Sequence, residues 1–210
     1  AYDSARMVQL AWQLHDFSGK LIHRGNYLIK PDGFEIPYSA AKIHGITQER
    51  AMRDGVPVLE ALEAFAADLA RSTYNVGHNI SFDLGIVGSE YHRAGLESNL
   101  WNIGVIDTKD VSTEYCAIPG GKSGKFKWPT LTELHVKLFG HAFDAAHDAA
   151  YDVDATARCF FGLITNRVHV PSEVVDVDAV VYEAPELEAA NFEAETETVD
   201  ATIGGACLLY

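Results

Sequence analysis

The sequence predicts an α/β fold, a mixed sheet with helices on its faces. Three observations carry that expectation. Two strand-like runs come first and flank a turn signal. Strand and helical patterning then alternate along the chain. The 210 residues, 48% hydrophobic and 22% charged, supply ample material for one core.

Residues 7–15 (MVQLAWQLH) are rich in strand formers, and 21–30 (LIHRGNYLIK) read as their hairpin partner across Ser18-Gly19. Pro31-Asp32-Gly33 closes the second strand. Over 58–69, Leu59, Leu62, Phe65, Ala66 and Leu69 recur at helical spacing, with Pro57 near the start. Residues 75–79 read as a short strand running into a helix over 83–94, whose apolar face is Leu84, Val87, Tyr91 and Ala94. Residues 102–108 (NIGVIDT) form another strand, and 119–129 (PGGKSGKFKWP) a glycine- and lysine-rich loop. Thr130 with Glu133 three residues on makes a capping box for a helix over 130–139. The last helix spans about 148–166, with Val153, Ala157, Phe160, Phe161 and Ile164 inward and Cys159 a core thiol. No internal repeat is evident.

Net charge is −14, which taken whole argues against a nucleic-acid partner. The charge is unevenly placed. Residues 171–210 hold ten of the thirty acids and none of the sixteen Lys and Arg, which leaves −4 for residues 1–170. We therefore expect a near-neutral domain over 1–170 and an acidic C-terminal extension over 171–210, a linker or interaction segment. Cys116, Cys159 and Cys207 form neither a zinc pattern nor a disulfide framework. No apolar run reaches a membrane span and no signal sequence opens the chain, so a cytoplasmic setting without membrane contact is expected.

Two segments invite chemistry. His147 and Asp152 are five residues apart, about 140° on a helical wheel, so they share a cleft only if His147 lies on the approach to the helix. That would suit a general base beside a metal-binding carboxylate. A plainer account has Asp148 capping the helix and Asp152 complementing its dipole. In 77–83 (GHNISFD), Asp83 sits where a strand gives way to a helix, a place where ligands bind and also where capping acids occur.

Together these segments resemble the DnaQ-like (DEDDh) family of 3′–5′ exonucleases, typified by the epsilon proofreading subunit of DNA polymerase III. His-Asn-x-x-Phe-Asp at 78–83 is followed by His-x-x-x-x-Asp at 147–152. Residues 43–47 (IHGIT) resemble the segment with which the family contacts the terminal nucleotide, and Asp107-Thr108 the Asp-Thr that ends a later strand. The resemblance spans about residues 6–166. It implies a ribonuclease-H-like fold with a mixed five-stranded sheet, and two-metal phosphodiester hydrolysis with Mg²⁺ or Mn²⁺. It further implies Asp83 and Asp152 as metal ligands and His147 as the base for the attacking water. His44, Gly45, Ile46, Thr47, Asn79 and Phe82 then fall in substrate-binding segments. The implied partner is a nucleic-acid 3′ end, single-stranded DNA ahead of RNA, and by analogy a polymerase subunit. His78 is expected to orient the strand end rather than bind metal.

One departure matters. The family's first motif, Asp-x-Glu on the first strand, is absent, since the chain opens at Ala1-Tyr2-Asp3, past its expected place. We expect the sheet to lack its middle strand, through truncation or disorder. Phe192–Thr198 (FEAETET) has a superficial likeness to that motif but would need a permuted chain, and coincidence in a Glu-rich segment is the better account. Lys122, Lys125 and Lys127 with Phe126 and Trp128 could grip phosphate and stack on a base, or form a solvated loop. The rivals are an all-helical HD-type phosphohydrolase, disfavoured by the strands, and a non-catalytic module of the same fold that binds nucleic acid or a polymerase.

Overall fold

The expected hairpin opens the fold: β1 (Gln9–Asp16) runs antiparallel to β2 (Leu21–Leu28), with Trp12 opposite Gly25. A computed structural model describes residues 5–143 and 149–186 and the backbone of 192–193 and 205–209. Asp16 shapes the turn, its Oδ1 accepting from the Ser18 amide and hydroxyl and from the Lys20 amide. The rest follows as α1 (Tyr38–His44), α2 (Gln48–Asp54), α3 (Val58–Leu69), β3 (Ser72–Gly77), α4 (Ile80–Ala94) and β4 (Gly104–Asp107). The short α5 (Thr108–Val111) and α6 (Thr113–Cys116) lead to α7 (Leu131–Phe139) and α8 (Ala149–Thr165), with β5 (Phe192–Glu193) and β6 (Gly205–Leu209) at the end.

The sheet has six strands in the order β4-β3-β6-β1-β2-β5. Strands β3 and β4 are parallel, β6 is parallel to β3 and antiparallel to β1, and β5 is antiparallel to β2. The place between β1 and β3, where the missing strand was expected, is thus filled by Gly205–Leu209. Two inner edges with open backbone groups attract any strand-forming segment, and 205–209 (GACLL) is the apolar run of the acidic extension. Of the FEAETET segment the described residues, Phe192–Glu193, pair at the outer edge of the sheet.

Both faces are covered, which is why β1 is buried along most of its length. Its Leu10 and Trp12 pack with Leu62 and Phe65 of α3 and Leu84 and Val87 of α4. Its Ala11 joins Val76 and Ile106 against Val153, Phe160 and Phe161 of α8. The expected inward face of α8 is the buried one, and the capping box at Thr130 and Glu133 is present. The face of α3 is rotated from the expected one: Leu59 is 45% exposed, whereas Asp68 is buried. The reason is polar. Asp68 Oδ2 accepts from Trp12 Nε1 at 2.6 Å and lies 2.5 Å from His23 Nδ1, while Arg71 donates to Oδ1 at 2.9 Å.

Charge and packing divide the chain at different places. Beyond residue 170, Val180 is buried and the Val181 and Glu183 amides donate to the Ser18 and Gly19 carbonyls. Gly19, at φ 94°, permits this approach, because a Cβ there would lie 2.2 Å from the Val181 oxygen. The Tyr182 hydroxyl donates to Asp154 Oδ1 at 2.6 Å, and its ring stacks on Phe161. Beside it His15 is buried between the Gly19 carbonyl and Gln13 Oε1, and burial pushes its pKa down to about 4. Across the hairpin, Gly25 makes room for the Trp12 ring, which a Cβ would meet at 2.2 Å. Among the described residues no helix is long and apolar enough to cross a membrane.

Candidate active site

Gly77 of β3 pairs with Asp107 of β4 in parallel register, so the two strands end at one rim, where α/β sheets present ligand-binding groups. Two residues past β3, Asn79 stands at the N-cap position of α4 in the left-handed conformation (φ 67°, ψ 37°), without a side-chain capping bond, a conformation asparagine tolerates better than most residues. That turn starts α4 at Ile80, earlier than the expected start at 83, and places Asp83 in its first turn. Phe82 beside it is 61% exposed.

Asp83 is partly buried, and its pKa is pushed up to about 7 by desolvation first and then by the negative charge of Asp107, against a hydrogen bond from its own backbone amide. At neutral pH the group is poised between its two charge states. A cation brought beside it would drive it to the carboxylate. Asp107 is the neighbour that sequence reasoning placed only as a strand end. Its Oδ1 accepts from the Asn79 and Lys109 amides at 2.9 and 3.0 Å. The Lys109 ammonium donates to Asn79 Oδ1 at 2.9 Å and stands 3.8 Å from Asp107 Oδ2. The only sequence signal for this pairing was the Asp-Thr dipeptide after an apolar strand.

His78 does what was expected of it. Its Nε2 donates to the Pro129 carbonyl and its Nδ1 meets Thr108 Oγ1, each at 3.0 Å. Burial holds its pKa below the ordinary value. With both ring nitrogens engaged, it ties β3 to α5 and to the 119–129 loop.

The 44–47 segment forms the junction of α1 and α2. Gly45 (φ 71°) ends α1, and Thr47 caps α2 by accepting from the Arg50 amide at 3.2 Å. His44 Nδ1 accepts from the Ile46 amide at 3.1 Å, which turns the ring back on its own chain, and partial burial lowers its pKa. Ile46 is buried, whereas Gly45 and Thr47 are exposed.

Asp152 lies in the first turn of α8 and is buried. His147 falls outside the described residues, so the relation between it and Asp152 stays an expectation. The described residues bring Asn79, Phe82, Asp83 and Asp107 to one rim. They gather no group of three or more His, Cys, Asp or Glu able to hold a metal ion. Mg²⁺ and Mn²⁺ are oxygen-seeking ions of six-fold coordination. The described side chains therefore do not by themselves fit a two-ion centre.

Comparison with known proteins gives a consistent set. The family model RNase_T, described as exonuclease, matches residues 10–160, a span that includes Asp83, Asp107 and Asp152. A PolC-type DNA polymerase III of Streptococcus suis (strain 98HAH33) is 32% identical over 145 residues, 67% of this chain and 9% of that protein. The 3′-5′ exonuclease DinG of Bacillus subtilis (strain 168) is 30% identical over 167 residues, 79% of this chain and 16% of that protein. The chain thus spans less than a fifth of either relative. Among solved structures, E. coli exonuclease I with a dT13 oligonucleotide superposes with a TM-score of 0.64 at 23% identity, covering 77% of this chain and 38% of that one. Exonuclease X with 5′ overhanging duplex DNA gives 0.56 at 20% identity, covering 83% and 91%. These likenesses bear on the fold, which is the ribonuclease-H-like one expected.

Proposed function

The chain belongs to the RNase_T exonuclease family, and from that premise we propose that it is a 3′–5′ exonuclease domain that releases nucleoside monophosphates from single-stranded DNA ends. The observation that carries the reading is Asp83 on the shared rim of β3 and β4, desolvated and faced by Asp107, inside the family match. A carboxyl held near neutrality at a strand-end rim is a functional-site signature. Asp152 and His147 take the roles of second acid and base on the strength of their motif alone. Asn79 and Phe82 flank Asp83, and the exposed Gly45 and Thr47 offer backbone and hydroxyl to a terminal nucleotide.

Hydrolysis in this reading depends on Mg²⁺ or Mn²⁺. Asp83 and Asp152 are too few donors for two such ions, so in this reading the remaining ligands come from beyond the described residues. The same shortage favours the second reading, a module of this fold that binds nucleic acid or a polymerase without cutting.

Oligonucleotides of one sequence, as DNA and as RNA, labelled at the 5′ end and incubated with Mg²⁺, Mn²⁺ or EDTA, separate the two. A ladder shortening from the 3′ end, abolished by EDTA and by Asp152→Ala, establishes the exonuclease. Tight binding with the oligonucleotide at full length in every metal condition establishes the module. A resemblance to PolC-type relatives makes a polymerase the protein partner to test, by pull-down with and without residues 171–210.

A further inference from the structure

Trp128 has no part in the roles assigned above, yet it is tied to the same rim. The Lys109 ammonium that bonds Asn79 Oδ1 also lies 4.7 Å from the centroid of the Trp128 ring. The residue is nevertheless 64% exposed. The loop that carries it is fastened at several points. Ile118 pairs with Lys127 in an antiparallel bridge, Lys127 Nζ meets Glu133 Oε1 at 2.7 Å, and the Pro129 carbonyl accepts from His78 Nε2 at 3.0 Å. Gly121 lets the loop close on itself, because a Cβ there would lie 2.3 Å from the Phe126 carbonyl oxygen.

A large aromatic ring in water, on a fastened loop, is doing nothing for the core. A cation–π contact from Lys109 favours one position of the ring, which lowers the side-chain freedom lost when a ligand arrives. We infer that Trp128 is a stacking platform for one nucleobase of the strand whose end is held at Asp83. It is a positioning residue of that site, and the inference rests on the exonuclease reading. Aromatic side chains accept any base on their π-face, so this platform would grip single strands with little regard to sequence. Lys122 and Lys125 of the same loop are exposed and supply the positive charge that a phosphate backbone seeks. The chain Trp128, Lys109, Asn79 couples the platform to the Asp83 rim through one side chain.

The test uses the full chain, a fluorescently labelled oligo-dT, and Trp128→Ala beside Trp128→Phe. Anisotropy in EDTA reads binding, and hydrolysis of the same oligonucleotide in Mg²⁺ reads KM against kcat. Trp128→Ala is expected to weaken binding by about 5- to 100-fold, with the loss in KM rather than kcat and with Trp128→Phe retaining most of the affinity. Unchanged binding and KM in Trp128→Ala, in a wild type that hydrolyses DNA, would overturn the platform alone. A wild type that neither binds nor hydrolyses oligonucleotide would overturn the exonuclease reading and the platform with it.

Discussion

Asp68 and Asp83 are both carboxylates on helices beside the sheet, and their surroundings treat them oppositely. Asp68 is met by Trp12 of β1, His23 of β2 and Arg71 just beyond its own helix, so its lone pairs are satisfied by three donors. Asp83 is met among the described groups by its own backbone amide and by the repelling charge of Asp107, and its pKa rises to about 7. The first arrangement spends a buried charge on holding α3 to the hairpin. The second withholds compensation, which a fold tolerates where a ligand is to supply it. A completed carboxylate marks architecture, and an uncompensated one marks chemistry.

The contrast can be broken in order of expected effect. Asp68→Ala leaves His23, Trp12 and Arg71 without their acceptor, and should cost about 3–5 kcal/mol in urea unfolding. Asp83→Asn should leave stability within about 1 kcal/mol of wild type while lowering exonuclease turnover by roughly 10²-fold or more. If the two variants lost equal stability, the division between the regions would fail.

His15 extends the comparison to pH. Its folded pKa of about 4 lies below the ordinary 6.5, so between those values the unfolded chain binds more protons. Stability from this group is present above pH 6.5 and lost as the pH falls toward 4, by roughly 2 kcal/mol at pH 5. Denaturation at pH 7, 6 and 5 should show His15→Gln with a shallower decline than wild type. Parallel curves for the two would remove His15 as the cause. Smallest of all, Tyr182→Phe deletes the bonds to Asp154 and Gln13 and should cost about 1 kcal/mol. No loss would mean that the Tyr182 hydroxyl adds little and that its ring and the neighbouring backbone bonds alone hold this segment to the body.

Much of the fold was legible because its signals are local. The span of α3, the capping box of α7 and the buried stripe of α8 follow from residues three or four apart. The rotated face of α3 did not, since an aspartate reads as solvent-facing until Trp12 and His23, 56 and 45 positions away, close on it. Helices α1 and α2 were missed because seven residues carry too little periodicity, although Thr47 had the N-cap chemistry. Strand β6 escaped because the acidity of its surroundings masked a short apolar run. At the candidate site, the sequence singled out Asp83 through its motif and His78 through its place beside it. Trp128 was legible as a candidate stacking ring, but its tie to Lys109 and the contacts of Asn79 with Asp107 and Lys109 were not, because those partners lie 19 to 30 positions apart in sequence and meet only when β3, β4 and the loop are assembled. Sequence patterning reports faces of single elements, whereas a rim is made by several.

The pairing of Gly25 with Trp12 carries a lesson for reading variation in this protein. Any side chain at 25 collides with the indole, and displacing the indole removes a donor from Asp68. The two positions are therefore free to change only in concert, a smaller ring arriving with or before a larger residue opposite. In a library of single substitutions Gly25 would look as intolerant as a catalytic residue, though it touches no chemistry. Intolerance alone would rank it beside Asp83, and only a paired library would tell the two apart.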